Sequence, residues 1–152
     1  MALTTADLYV LVVDDDPDAR EILFEIVDAL GIKVSMATDG QEALKIAYQA
    51  APALILLDIM MPHLNGFSVL AKMQGTPAFR NIPVIIVSAC TPNQISLFKL
   101  PGVVEVVSKG SFSIENMMTL IAKTLGLTSH LAVFTQSAHK QTEVRLAANY
   151  LG

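Results

Sequence analysis

A single cysteine, Cys90, excludes an intramolecular disulfide and fits a reducing compartment. The opening "MALTTADLYV" lacks a basic n-region and a long apolar h-region, so it is not expected to act as a signal peptide. No apolar run approaches the roughly 18 residues of a membrane helix. The ten basic residues are scattered, and with a net charge of −4 they form no cluster of the kind that binds nucleic acid. Gly-rich phosphate loops of the GxxxxGK[ST] or GxGxxG type are missing, which argues against a nucleotide enzyme. A soluble cytoplasmic protein without direct nucleic-acid or membrane binding is the expectation.

What is present describes one compact domain. The chain has 152 residues, 53% hydrophobic and 16% charged, enough for one good core and too few for two. A mean hydropathy of +0.52 then has to come from buried strands. Five short apolar runs supply them: Tyr9–Val13, Lys33–Ala37, Ala53–Leu57, Pro83–Val87 and Val103–Val107. Three are continuously aliphatic, as parallel strands covered on both faces should be.

Helical spacing fills the gaps. Ile22, Leu23, Ile26, Val27 and Leu30 form one stripe after Pro17, and Gly31 supplies a stop. Asp39 with Glu42 reads as a capping box. Ile114, Met117, Met118, Ile121 and Leu125 share a face behind a Ser113 cap. Alternation of this kind means βαβ units and a parallel, doubly wound α/β sheet. Thr91 to Pro101 is the weakest segment, where one short or irregular helix is expected. Residues 127–152 form a tail in which Val144, Ala148 and Leu151 suggest one amphipathic helix, packed on its own domain or serving a dimer or partner contact.

The stretch "VVDDDP" poses the functional question. Neighbouring carboxylates at about 4 Å repel by roughly 4 kcal/mol at an effective dielectric near 20. Asp16, ahead of Pro17, is explained as a helix N-cap. Asp14 and Asp15 remain, at the end of the first strand. Asp58 follows the third strand, Ser88 the fourth and Lys109 the fifth. In open α/β sheets ligands bind at these carboxyl ends. Singly, each residue has a bland reading as a loop acid, a backbone-bonded serine or a surface lysine. In this order and spacing they point to one site.

With "VVDDDP" at 12–17, "LLDIMMPHLNG" at 56–66, "IIVSA" at 85–89 and "VSKG" at 107–110, the chain resembles a receiver domain of two-component response regulators over residues 8–126. The resemblance implies a five-stranded flavodoxin-like sheet of order 2-1-3-4-5. It also implies Asp58 as phospho-acceptor, through an aspartyl-phosphate. Three carboxylates around a phosphoryl group need cations, and magnesium is the implied one. By the match Asp15 ligates it directly, Asp14 acts through water, and Asp58 and the Met60 backbone carbonyl add oxygens. Lys109 is implied to pair with Asp58 or a phosphoryl oxygen. Ser88 is implied to bond the phosphoryl group, with little reason to turn inward before it arrives.

The family pattern is broken twice. Val106 stands where an aromatic residue is common, and Gly110 follows Lys109 where proline in a cis bond is common. A cis bond without proline costs roughly 3 kcal/mol, so trans geometry is expected. The implied function is a phosphorelay receiver that is no enzyme beyond slow self-phosphorylation and autodephosphorylation. It would take phosphate from a histidine kinase or phosphotransfer protein and signal to a downstream protein. Alternatives are an interaction module with impaired switching, or the receiver of a longer regulator or hybrid kinase. A hydrolase built on Asp58 lacks the second carboxylate two residues on, since that position is Met60.

Overall fold

Along the central strands the aliphatic side chains divide strictly by parity, and that division organises the molecule. The computed structural model describes residues 8–89 and 100–127. β1 (Tyr9–Val13), β2 (Lys33–Ala37), β3 (Leu54–Leu57), β4 (Val84–Ser88) and β5 (Val103–Ser108) form one parallel sheet of order β2-β1-β3-β4-β5. Leu11, Val13, Ile55, Leu57 and Ile86 face one side. There they meet Ala43 and Ala47 of α2 (Gly40–Gln49) and Val69, Leu70 and Met73 of α3 (Gly66–Gln74). Val10, Val12, Leu56, Ile85 and Val87 face the other. Their partners are Leu23, Ile26 and Val27 of α1 (Pro17–Ala29) and Met117, Met118 and Ile121 of α4 (Ile114–Thr124). Each fully buried aliphatic side chain contributes about 1.5–3 kcal/mol relative to exposure. The implied order 2-1-3-4-5 is therefore the observed one.

The helix ends follow from side-chain caps. Asp16 accepts from the Asp18 N–H ahead of α1, and Gly31 at φ 74 closes that helix. Asp39 accepts from the Glu42 N–H, while the Glu42 carboxylate reaches back to the N–H and hydroxyl of Thr38. Ser113 caps α4 through the Asn116 N–H. α3 starts at Asn65, whose side chain accepts from the Ser68 N–H at 3.0 Å. Asn65→Ala is expected to cost about 1 kcal/mol, read as a lower urea midpoint with unchanged slope.

The two edges are less buried than the centre. On β5 the register shifts between Val84 and Ile85, which pair with Val103 and Glu105, so Val104 is an extra residue. Val104 and Glu105 are exposed, while Val103 and Val106 pack on the α2–α3 face and Val107 on the other. Among the described residues no helix is long and apolar enough to cross a membrane. The helix expected in Thr91 to Pro101 falls almost wholly outside the described residues, as does the tail helix from 128 onward.

Candidate functional site

Backbone ladder bonds carry the functional residues one step past the sheet. The Asp14 N–H donates to Ala37 on β2 (3.2 Å), the Asp58 N–H to Val13 on β1 (2.9 Å) and the Lys109 N–H to Ser88 on β4 (2.9 Å). Each functional side chain is thus placed by a strand rather than by a free loop. Asp14 is 0% exposed, Asp58 3% and Ser88 0%, and Asp15 beside them is open to solvent. One carboxylate oxygen from each of Asp14, Asp15 and Asp58 lies within 4.8 Å of the others.

Lys109 is the counter-charge. Its Nζ sits 2.7 Å from Asp14 Oδ2 and 3.2 Å from Asp58 Oδ2. Lys109 pairs with Asp58 as the resemblance implies, and lies nearer still to Asp14. Burial pushes the Asp14 carboxyl above its usual range and the Asp58 charge adds to the rise, against the pull of Lys109 and the Asp16 N–H. For Lys109, burial favours losing the proton, but Asp14 and Asp58 outweigh it and hold the ammonium above the usual lysine range. The two groups rise for different reasons, Asp14 mainly through burial and Lys109 through the two carboxylates that face it. One ammonium faces two buried carboxylates and does not neutralise both.

Asp58 is fully engaged. Its Oδ1 accepts from the Ser88 hydroxyl at 3.0 Å and from the Met60 N–H at 3.3 Å, and its Oδ2 faces Lys109. Ser88 therefore turns inward without any phosphoryl group, contrary to expectation. The reason is burial: a hydroxyl with no access to water needs a partner, and the Asp58 carboxylate is the acceptor it finds. The Met60 side chain is 63% exposed, so its part in the site is made by its backbone. Among the described residues every peptide bond is trans, that between Lys109 and Gly110 included.

The donor set fits a hard divalent cation. Three carboxylates against one ammonium leave a local excess of two negative charges. Asp14 Oδ2 is buried and accepts no hydrogen bond of proper geometry, despite the ammonium beside it. An oxygen ligand of that kind, with Asp15 reaching solvent, suits an ion that keeps part of its water shell.

A family model for the response regulator receiver domain matches residues 10–122. The chain belongs to that family. The receiver is 46% identical over 82 residues to a gliding motility regulatory protein of Myxococcus xanthus, covering 54% of this chain and 11% of that protein. It therefore spans about a tenth of that relative's length. Among solved structures, the Francisella response regulator 1452 receiver domain is 34% identical with a TM-score of 0.67, covering 80% of this chain and 98% of the other. The response regulator TrrA of Thermotoga maritima, solved in complex with Mg(2+)-BeF, is 29% identical with a TM-score of 0.68, covering 77% and 98%.

One contributor to the receiver's site escaped the sequence reading. Arg20, the fourth residue of α1, reaches back to donate from Nη1 to the Asp14 carbonyl at 2.8 Å. The only signal was a basic residue inside the acidic stretch "DDDPDARE".

Proposed function

We propose that the chain is a phosphorylatable receiver whose Asp58 accepts a phosphoryl group from a histidine kinase or phosphotransfer protein. The observation that carries this reading is Asp58 itself, a nearly buried carboxylate set between a hydroxyl and an ammonium beside two further acids. One Asp58 oxygen forms the new P–O bond as the donor's bond to phosphorus breaks, and the donor's histidine nitrogen leaves with the electron pair and takes a proton from solvent. Transfer through a loose transition state asks mainly for alignment and charge neutralisation. Lys109 supplies part of the neutralisation, and Ser88 can pass its hydrogen bond from Asp58 to a phosphoryl oxygen. Asp14, Asp15, Asp58 and the Met60 backbone would hold magnesium, which supplies the remaining positive charge at the phosphoryl oxygens. The chain then acts as a cytoplasmic phosphoprotein that signals through a downstream protein and is not an enzyme in its own right.

Incubation with magnesium and acetyl phosphate should add the mass of one phosphoryl group, and Asp58→Asn should abolish the gain. No gain in the wild type, or a gain that survives the substitution, would sink the reading.

Ser88 favours a second reading. Because its hydroxyl already points inward, and Val106 replaces an aromatic side chain, phosphorylation has less movement left to trigger. A phosphorylated form with unchanged amide exchange and unchanged partner affinity would support an interaction module. The short span of the Myxococcus relative that is matched also fits a receiver within a longer regulator or hybrid kinase.

A further inference from the structure

We propose that Arg20 is a positioning residue for the cation site, acting through the Asp14–Asp15 peptide; the inference rests on the reading of that site as one for a divalent cation. Asp14 is held at every polar backbone atom. Its N–H is tied to Ala37 on β2, and its carbonyl takes the Arg20 guanidinium at 2.8 Å. Its Oδ1 accepts from the Asp16 N–H at 2.9 Å, and its Oδ2 faces Lys109. Asp15 is different. Its carboxylate has no protein partner among the described residues, so no side-chain contact steers it and the backbone before it sets the Cα–Cβ direction from which it reaches the cluster.

That backbone is the peptide whose carbonyl Arg20 holds. With the carbonyl drawn toward α1, the following residue leaves the peptide in one direction, and the Asp15 carboxylate falls within reach of those of Asp14 and Asp58. Released, the peptide plane can rotate, turn a negative dipole elsewhere and carry Asp15 off the cluster. The guanidinium suits the task because its planar donors fix a direction as well as a distance. Its place has a cost, since a cation near a helix N-terminus opposes the macrodipole.

A simpler account makes Arg20 a counter-charge for the acidic cluster. The two accounts predict opposite signs. Removing a nearby positive charge strengthens the attraction for a divalent cation. Removing a group that orients a ligand weakens binding, typically 10- to 100-fold for outer-shell partners of a metal site.

The test is Mn2+ titration of the full chain, with free ion read by electron paramagnetic resonance and folding followed by thermal melts. Arg20→Met keeps the aliphatic stem and is expected to bind Mn2+ about tenfold more weakly than wild type. Arg20→Gln is neutral but retains a donor, and is expected to recover most of the loss. Arg20→Lys keeps the charge without the planar fork, is expected in between, and stands in should the methionine variant fail to fold. Affinity in R20M equal to or tighter than wild type, or Arg20→Gln as weak as R20M, would overturn the positioning role alone. A wild-type chain that binds no Mn2+ would remove the cation reading and the inference together.

Discussion

Lys109→Met is expected to lower folding stability by about 3 kcal/mol near neutral pH, the lower end for breaking a buried ion pair, because Lys109 is 24% exposed. Without the ammonium, Asp14 and Asp58 are two buried acids facing each other uncompensated. The pH dependence has a definite sign. The Lys109 pKa is raised in the fold, so its contribution is complete below the ordinary value of 10.5 and is lost as pH rises through the folded value. The Asp14 pKa is also raised, so the fold favours the protonated acid, and charging it weakens the fold as pH rises through its folded value. Removing Lys109 raises that value further. The penalty of the substitution should therefore be largest from neutral pH up to the lysine range and should be smaller in acid, where Asp14 takes up a proton.

Magnesium should act in the same direction as acid. A cation bound only to the folded state adds about 2.7 kcal/mol at a hundredfold excess over its Kd, and removal of the competing ammonium leaves the Asp14 and Asp58 oxygens freer to receive it. Urea denaturation of both proteins, with and without magnesium and at both pH values, measures these shifts. A loss below 1 kcal/mol, or an equal loss at both pH values, would show that the carboxylates do not depend on Lys109.

How much of this was legible beforehand depends on what each feature answers to. The five strands were readable as short apolar runs, three of them continuously aliphatic, and four lead into a polar or charged residue, a pattern set by burial along one strand. The residues at those ends followed, since Asp14, Asp58, Ser88 and Lys109 lie just past or at the last strand position. Strand order is different. Nothing in periodicity says that β3 returns to the far side of β1, and the order came from resemblance alone. The β5 bulge was equally hidden, because "VVEVV" does not state what β4 offers it for pairing.

Orientation was the least readable property. Ser88 was placed at the site but expected to face away, because its inward turn is decided by the acceptor 30 positions earlier in the chain. Arg20 drew no reading at all, since its carbonyl partner lies behind it on the β1–α1 turn. The start of α3 was not read either, because its first residue is glycine, a weak helix former, behind the Asn65 cap.

Gly66→Ala is expected to be as damaging as the loss of Lys109, and for a reason of space. A Cβ at this position would lie 2.5 Å from the Asp58 carbonyl oxygen and 2.7 Å from the Ile59 Cα. Both are backbone atoms, so no side-chain rotation relieves the clash. Backbone displacement of this kind costs about 3 kcal/mol. The Gly66 N–H also donates to the Ile59 carbonyl at 3.0 Å, clamping α3 onto the segment that carries Asp58, so the displacement falls on the phospho-acceptor itself. Stability and phosphoryl acceptance should therefore fall together. Gly75→Ala is the contrast: a Cβ there meets nothing closer than 3.6 Å and the φ of −77° suits alanine, so that variant should gain about 0.4–1 kcal/mol with labelling unchanged. Urea midpoints and acetyl phosphate labelling of the two variants separate tight approach from a general intolerance of alanine, and a Gly66→Ala chain within 1 kcal/mol of wild type would mean that α3 can back away from Asp58 without harm.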